Sequence, residues 1–368
     1  MTTNSTLSAT DIVDEGLPRC VPWNGRYREG VLKLFKEVPY KRQLWQWQFE
    51  SNPFGLPFNP IVLVDGNDNV VGFNGVMAVR ATDRGEEIPA VWSCDFYLAE
   101  QWRGQGLGSH IKHELHKKAP LIMAFGISDR ASNVLRHLGW VPDDSVRTYR
   151  MLHRRSGLRS WLLTGLQWLN RLGSGFVRAP GGSSTIVDVR STLPDKGLID
   201  ELWSRCYLDY GRVVQRDFAY LDWRYQQHPL SRYAFALAWR DTELAAVLVM
   251  RFSRGTLRIV DYCGPCRDLS LKRTLVRAAV RHWPHVNQVI SVTSDAELGS
   301  SFLAEGFVQL RDRPRFYIYE ARDGERAEPA PWFIMAGDSD GEFLQAAGDF
   351  CTAEKLPSQV VSERAQPC

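Results

Sequence analysis

The chain has 368 residues, of which 44% are hydrophobic and 24% charged, with a net charge of +3. That composition is globular, the length accommodates two ordinary domains, and the charge gives no footing for nucleic acid as the main partner. Met1 to Pro18 lacks a basic start and an apolar core, no run of about 18 apolar residues occurs, and the seven cysteines lack framework spacing; a cytoplasmic protein with reduced thiols is expected.

Residues 1–19 read as a flexible N-terminus. A first domain is expected over 20–152. It holds an aromatic segment, Leu44-Trp45-Gln46-Trp47-Gln48-Phe49-Glu50, followed by Ser51-Asn52-Pro53. Alternating apolar runs and a turn at Asp65-Gly66-Asn67-Asp68 predict strands over 61–64 and 70–79, and a further strand over 90–98. A helix over 107–118, a strand over 121–127, a helix over 131–138 and the step Gly139-Trp140 complete the unit, with Gly139 ending its helix in the left-handed conformation.

The same order then recurs. Tyr220-Leu221-Asp222-Trp223-Arg224-Tyr225 answers the first aromatic segment, and strands over 233–239, 244–252 and 257–262 follow. A helix over 270–283, a strand over 289–293, a helix over 298–304 and Gly306-Phe307 close the second copy, expected over 187–325. Recurrence of the tryptophans favours a core role for them over substrate stacking. Between the copies lies a basic amphipathic linker, 153–186, with Trp161, Leu162, Leu166 and Trp168 among Arg154, Arg155, Arg159 and Arg171. It reads as a helix packed between domains, with peripheral membrane contact through 151–185 as the alternative. Residues 326–368 read as an extension ending in a disordered tail.

One segment carries chemistry. Arg103-Gly104-Gln105-Gly106-Leu107-Gly108 follows an apolar strand and opens a helix, so glycine amides and the positive helix end can approach a diphosphate. With Arg103, Gly106 and Gly108 in these places, and with Ser128-Asp129-Arg130-Ala131 leading through Leu135 to Gly139-Trp140, the chain resembles the GNAT acetyltransferase superfamily. It departs twice: Ser128 stands for the family's asparagine, and Leu135 for the tyrosine that often protonates the departing thiolate.

The resemblance implies an α/β (α+β) architecture of two tandem GNAT folds, each a mixed, mainly antiparallel sheet flanked by helices. It implies acetyl-CoA bound by Arg103, Gly104, Gln105, Gly106, Leu107 and Gly108, and a small-molecule primary amine as acceptor, such as a metabolite, an amino sugar or an envelope precursor. It further implies a pantetheine arm along the fourth strand, with a backbone N–H near Tyr97 or Leu98 polarising the thioester, and Ser128 in the asparagine's place. Asp95 is the first candidate for the base that deprotonates the amine, followed by Glu50 and Glu100. A monomer whose two copies form an internal pseudo-dimer is expected.

In the second copy the glycine turn is replaced by Asp261-Tyr262-Cys263-Gly264-Pro265-Cys266-Arg267-Asp268. Pro265 removes a donor and the acids repel phosphate, so this copy is not expected to bind coenzyme A. The Cys-Gly-Pro-Cys spacing offers a rival reading as a thiol-disulfide protein. The missing tyrosine at Leu135 offers another, a non-catalytic coenzyme A sensor. His110, His113 and His116 spread too widely on one helix to share a metal and read as a solvated face.

Overall fold

The computed structural model describes residues 17–38, 40–54, 59–153, 165, 167, 185–321 and 330–354. The first half supplies strands β1 (Arg19–Val21), β2 (Ile61–Val64), β3 (Val70–Asp83), β4 (Glu86–Leu98), β5 (Leu121–Phe125), β6 (Val141–Asp143) and β7 (Arg147–Leu152). The second supplies β8 (Thr185–Arg190), β9 (Arg212–Val214), β10 (Ala234–Arg240), β11 (Glu243–Ser253), β12 (Thr256–Cys263), β13 (Gln288–Thr293), β14 (Val308–Gln309), β15 (Phe316–Glu320) and β16 (Trp332–Phe333).

These strands form two mixed, mainly antiparallel sheets flanked by helices, as the repeat predicts. One runs β1-β2-β3-β4-β5-β15-β6, with β9 joined to β3 and β16 to β9; the other runs β14-β7-β13-β12-β11-β10-β8. Each half also contributes a strand to the interior of the other's sheet. β7 inserts between β13 and β14, and β15 inserts between β5 and β6. The exchange ties the halves together with backbone hydrogen bonds as well as side-chain packing.

The repeated aromatic segments meet at the junction. Trp47 and Trp223 stack with ring centroids 5.4 Å apart, and each indole N–H donates to the other's carbonyl, at 2.7 and 3.0 Å. Both are buried, so the core role expected of them holds.

Alternation along β4 divides its side chains between two layers. Ala90, Trp92 and Cys94 enter the large central core, while Val91 and Leu98 pack with Ile111, Leu115, Leu135 and Trp140 beneath the helices Leu107–His116 and Asp129–His137. Ser128 caps the second of these helices, its hydroxyl accepting from the Ala131 N–H. Gly139 ends that helix at φ +80, and Gly306 does the same at φ +95 in the second copy.

Of the linker expected over 153–186, residues 154–184 apart from 165 and 167 lie outside the described residues, as do residues 1–16 and the tail beyond 354. Among the described residues no helix is long and apolar enough to cross a membrane. Residues 330–354, by contrast, are folded into the junction. After β16, Met335 bridges Thr293 at the end of β13, and a helix runs over Asp340–Glu354.

Candidate functional site

β4 and β5 run parallel only through Ala90↔Leu121, Val91↔Ile122 and Trp92↔Met123. Beyond that point they part, because β4 carries an irregularity opposite Phe73–Gly75 where Asp95 takes φ +50. The opening is a cleft of about 650 Å³. One wall is Ser93 to Leu98 of β4; the other is Ala124 to Ile127, followed by Ser128, Arg130, Ala131, Val134 and Leu135.

Arg103, Gly104, Gly106 and Gly108 form the mouth. Gly104 and Gly106 sit at φ +84 and +79, and a Cβ on either would meet nothing within 4 Å. The space beside them is therefore open to a ligand, and Gly106 caps the helix Leu107–His116 so that its positive end faces the mouth. The Arg103 Nε–H donates to the Leu98 carbonyl at 2.8 Å, fixing the turn to the strand end. Gln105 and Leu107 contribute backbone to this turn but are not among the cleft-lining residues; the Gln105 amide bonds the Gln101 carbonyl, and Leu107 packs against the lower core.

At the strand irregularity the structure gathers three charged groups. Asp95 accepts from Lys41, in an ion pair whose side chains are only 2% and 4% exposed, and from the Gln48 amide at 2.8 Å. Asp340, brought by the C-terminal helix, lines the cleft close to Asp95. Burial, and then repulsion from Asp95, pushes the Asp340 carboxyl up to about 6. Neither Lys41 nor Asp340 was found by sequence reasoning. Asp340 has no counterpart in the repeat and lies in a stretch whose composition resembles a tail.

The other acid candidates are engaged elsewhere. Glu50 accepts from the Trp45 indole at 2.8 Å, and Glu100 faces Arg103 from an exposed turn at 3.6 Å. Among the three histidines, His116 departs from the solvated-face expectation. It stacks on Tyr319 at 3.6 Å and accepts from the Trp140 indole, and burial pushes it down to about 4. Among the described residues no cluster has the makings of a metal site.

The corresponding opening of the second half is filled by the chain itself. Arg216, fully buried, pairs with Asp261 at 3.2 Å and with Asp338 at 2.5 Å, and Arg224 donates to the carbonyls of Gly337 and Ser339. Segment 334–339 thus occupies the space beside β12 and β13 that a cofactor arm would need. The rival thiol motif also loses its footing here. A hydrogen bond with Cys206 and complete burial raise the Cys263 thiol, and burial pushes Cys266 up to about 11, the reverse of what a redox thiolate requires.

The molecule is thus a tandem α/β protein with one open, glycine-mouthed cleft and one filled counterpart. No protein-family model matches the chain, and no curated protein matches it. Among solved structures it is similar to a probable N-acyltransferase, a conserved protein of unknown function from Enterococcus faecalis, at 12% identity over 83% of this chain and 72% of that one, with a TM-score of 0.58. It is similar to a GCN5-related N-acetyltransferase from Anabaena variabilis at 12% identity over 82% and 72%, TM-score 0.57. A third likeness is to N-myristoyltransferase from Saccharomyces cerevisiae with bound myristoyl-CoA, at 14% identity over 89% and 88%, TM-score 0.51. At such identities the likeness is one of fold, and the fold is GNAT, present twice in this chain.

Proposed function

We propose that this protein is an acyl-coenzyme A dependent N-acyltransferase that works through the first cleft alone, with acetyl-CoA as the simplest donor and a small primary amine as acceptor. The observation that carries this reading is the parting of β4 and β5 into a cleft whose mouth is the left-handed glycine turn. A diphosphate would lie on the amides of Gly104 to Gly108 beside Arg103. The pantetheine arm would extend along β4, held near Leu98 and by the Ser128 hydroxyl, with the Tyr97 backbone N–H polarising the thioester carbonyl.

Asp340 is the base in this proposal. A carboxyl poised at about 6 is ionised at neutral pH yet basic enough to take a proton from an attacking amine, and its charge would draw the ammonium form into the cleft. Asp95 serves instead to tune: its carboxylate is held by Lys41 and Gln48, and its charge helps raise the Asp340 carboxyl. The neutral amine attacks the thioester carbon, the carbon–sulfur bond breaks, and coenzyme A leaves as a thiolate that is then protonated. Leu135 has no proton to give, so the family's tyrosine acid has no equivalent at that position.

The test is calorimetry with coenzyme A and acetyl-CoA, followed by release of free thiol across a panel of primary amines. Binding with amine-dependent thiol release supports the reading; binding without release from any amine favours a sensor; no binding sinks both.

A further inference from the structure

Lys112 follows Ile111 on the helix Leu107–His116 and is 6% exposed, yet it lines the cleft. Its Nζ donates to Asn74 Oδ1 at 2.7 Å and to Ser93 Oγ at 2.8 Å, and it lies 4.7 Å from the centroid of the Phe96 ring. Both acceptors are neutral, and among the described residues no carboxylate is in ion-pair or hydrogen-bond contact with it; Asp340, in the same cleft, and Cys94 act on it only through their charge.

The second half shows what such a lysine ordinarily has. Ile111-Lys112 with Leu115 corresponds to Leu271-Lys272 with Leu275. Lys272 is also buried, but its Nζ donates to Asp295 at 2.8 Å and has Glu297 at 3.6 Å. Asp295 is the N-cap of the helix Ala296–Ala304, and the equivalent N-cap in the first half is Ser128. The lysine is thus present in both copies, whereas its carboxylate partner is present only where the cleft is filled. Burying an ammonium without an anion is costly, so an entering ligand is the natural source of the missing charge.

Position identifies which part of the ligand this is. The diphosphate end belongs at the glycine turn and the thioester beside Tyr97, so the acyl group continues back along β4 past Phe96, whose ring centroid lies 4.7 Å from the Lys112 Nζ. Ser93 follows Trp92, the last residue of β4 paired with β5, so Lys112 stands at the closed end of the cleft, where the acyl group arrives. Resting on the reading of this cleft as an acyl-CoA site, we infer that Lys112, with Ser93 and Asn74, receives the terminal carboxylate of a dicarboxylic acyl group of the malonyl or succinyl kind. A long apolar chain would instead bury the ammonium further without a partner.

Titration gives the inference a distinctive signature. Burial depresses the Lys112 ammonium to about 7 despite the opposing charges of Cys94 and Asp340, and a ligand carboxylate in contact with it would favour its charged form further. Binding of a dicarboxylic thioester above pH 7 should therefore take up protons, and its advantage over acetyl-CoA should shrink as pH rises.

The test is titration calorimetry of the whole chain with acetyl-CoA, malonyl-CoA and succinyl-CoA at pH 6.5 and 8, in two buffers of different ionisation enthalpy. At least one dicarboxylic thioester should bind about tenfold or more tightly than acetyl-CoA at pH 6.5, as a charge-assisted contact provides, with proton uptake at pH 8. In Lys112→Met the ratio should collapse to about one. Equal affinities in the parent, or a preference that survives in Lys112→Met, would overturn the inference while leaving the acyltransferase reading in place. Should Lys112→Met not fold, absence of proton uptake in the parent is enough to overturn it. Failure of coenzyme A itself to bind would overturn both readings.

Discussion

Asp340→Asn separates the role of Asp340 from that of every neighbour, because it should damage turnover while making the protein more stable. The carboxyl is shifted from 3.8 to about 6 by burial and by Asp95, a difference worth at most about 3 kcal/mol between its two protonation states. Its folded-state pKa lies above the unfolded value, so between about pH 4 and 6 the folded protein holds a proton that the unfolded chain has lost. Stability therefore falls across that window, and the full cost is present at pH 8. Asparagine keeps the size and shape of the side chain and carries no charge. Urea unfolding at pH 8 should show the variant about 1 to 3 kcal/mol more stable than the parent, with the gap closing near pH 4. In the parent, the turnover-dependent rate should fall about tenfold per pH unit below 6; in the variant it should be lower by about 10² to 10⁴ and lack that limb. A variant that is less stable at pH 8, or that turns over at the parent rate, would refute the argument.

Three other outcomes are expected. Gly106→Ala forces a side chain into φ +79, and as the free turn relaxes to relieve about 1 to 2 kcal/mol of backbone strain, coenzyme A binding should weaken about fivefold to thirtyfold by calorimetry. Coenzyme A should bind one per chain, because segment 334–339 fills the second opening; a titration with two equivalent sites would contradict this. Asp95→Asn strands the buried Lys41 ammonium, so it should destabilise the fold by about 3 to 5 kcal/mol in chemical unfolding, the opposite sign from Asp340→Asn. If Asp95→Asn instead loses turnover with stability intact, Asp95 is the base.

Local chemistry made much of this protein legible. Apolar alternation located β2 to β5 and β10 to β13 to within a few residues, since a strand with buried neighbours must alternate or run apolar wherever its register falls. The glycine turn and the helix-ending Gly139 and Gly306 were readable because each answers a backbone requirement met within a few residues. The repeat exposed the two-fold plan, but that Lys112 answers Lys272, and that Lys272 has a carboxylate partner, emerges only from the packed helices.

What the sequence did not determine are the choices made between distant segments. β7 and β15 were not among the strands expected from the sequence, and their exchange depends on which sheet edge each can reach, a matter of chain path. Asp95 reads as an acid on a cofactor strand, and its ion pair with Lys41 joins residues 54 apart in sequence. Asp340 belongs to the site only because segment 334–339 fills the second opening and carries the next helix to the first. A carboxylate becomes a base through burial and neighbouring charge, and those are properties of the packed molecule, absent from the local run of residues that contains it.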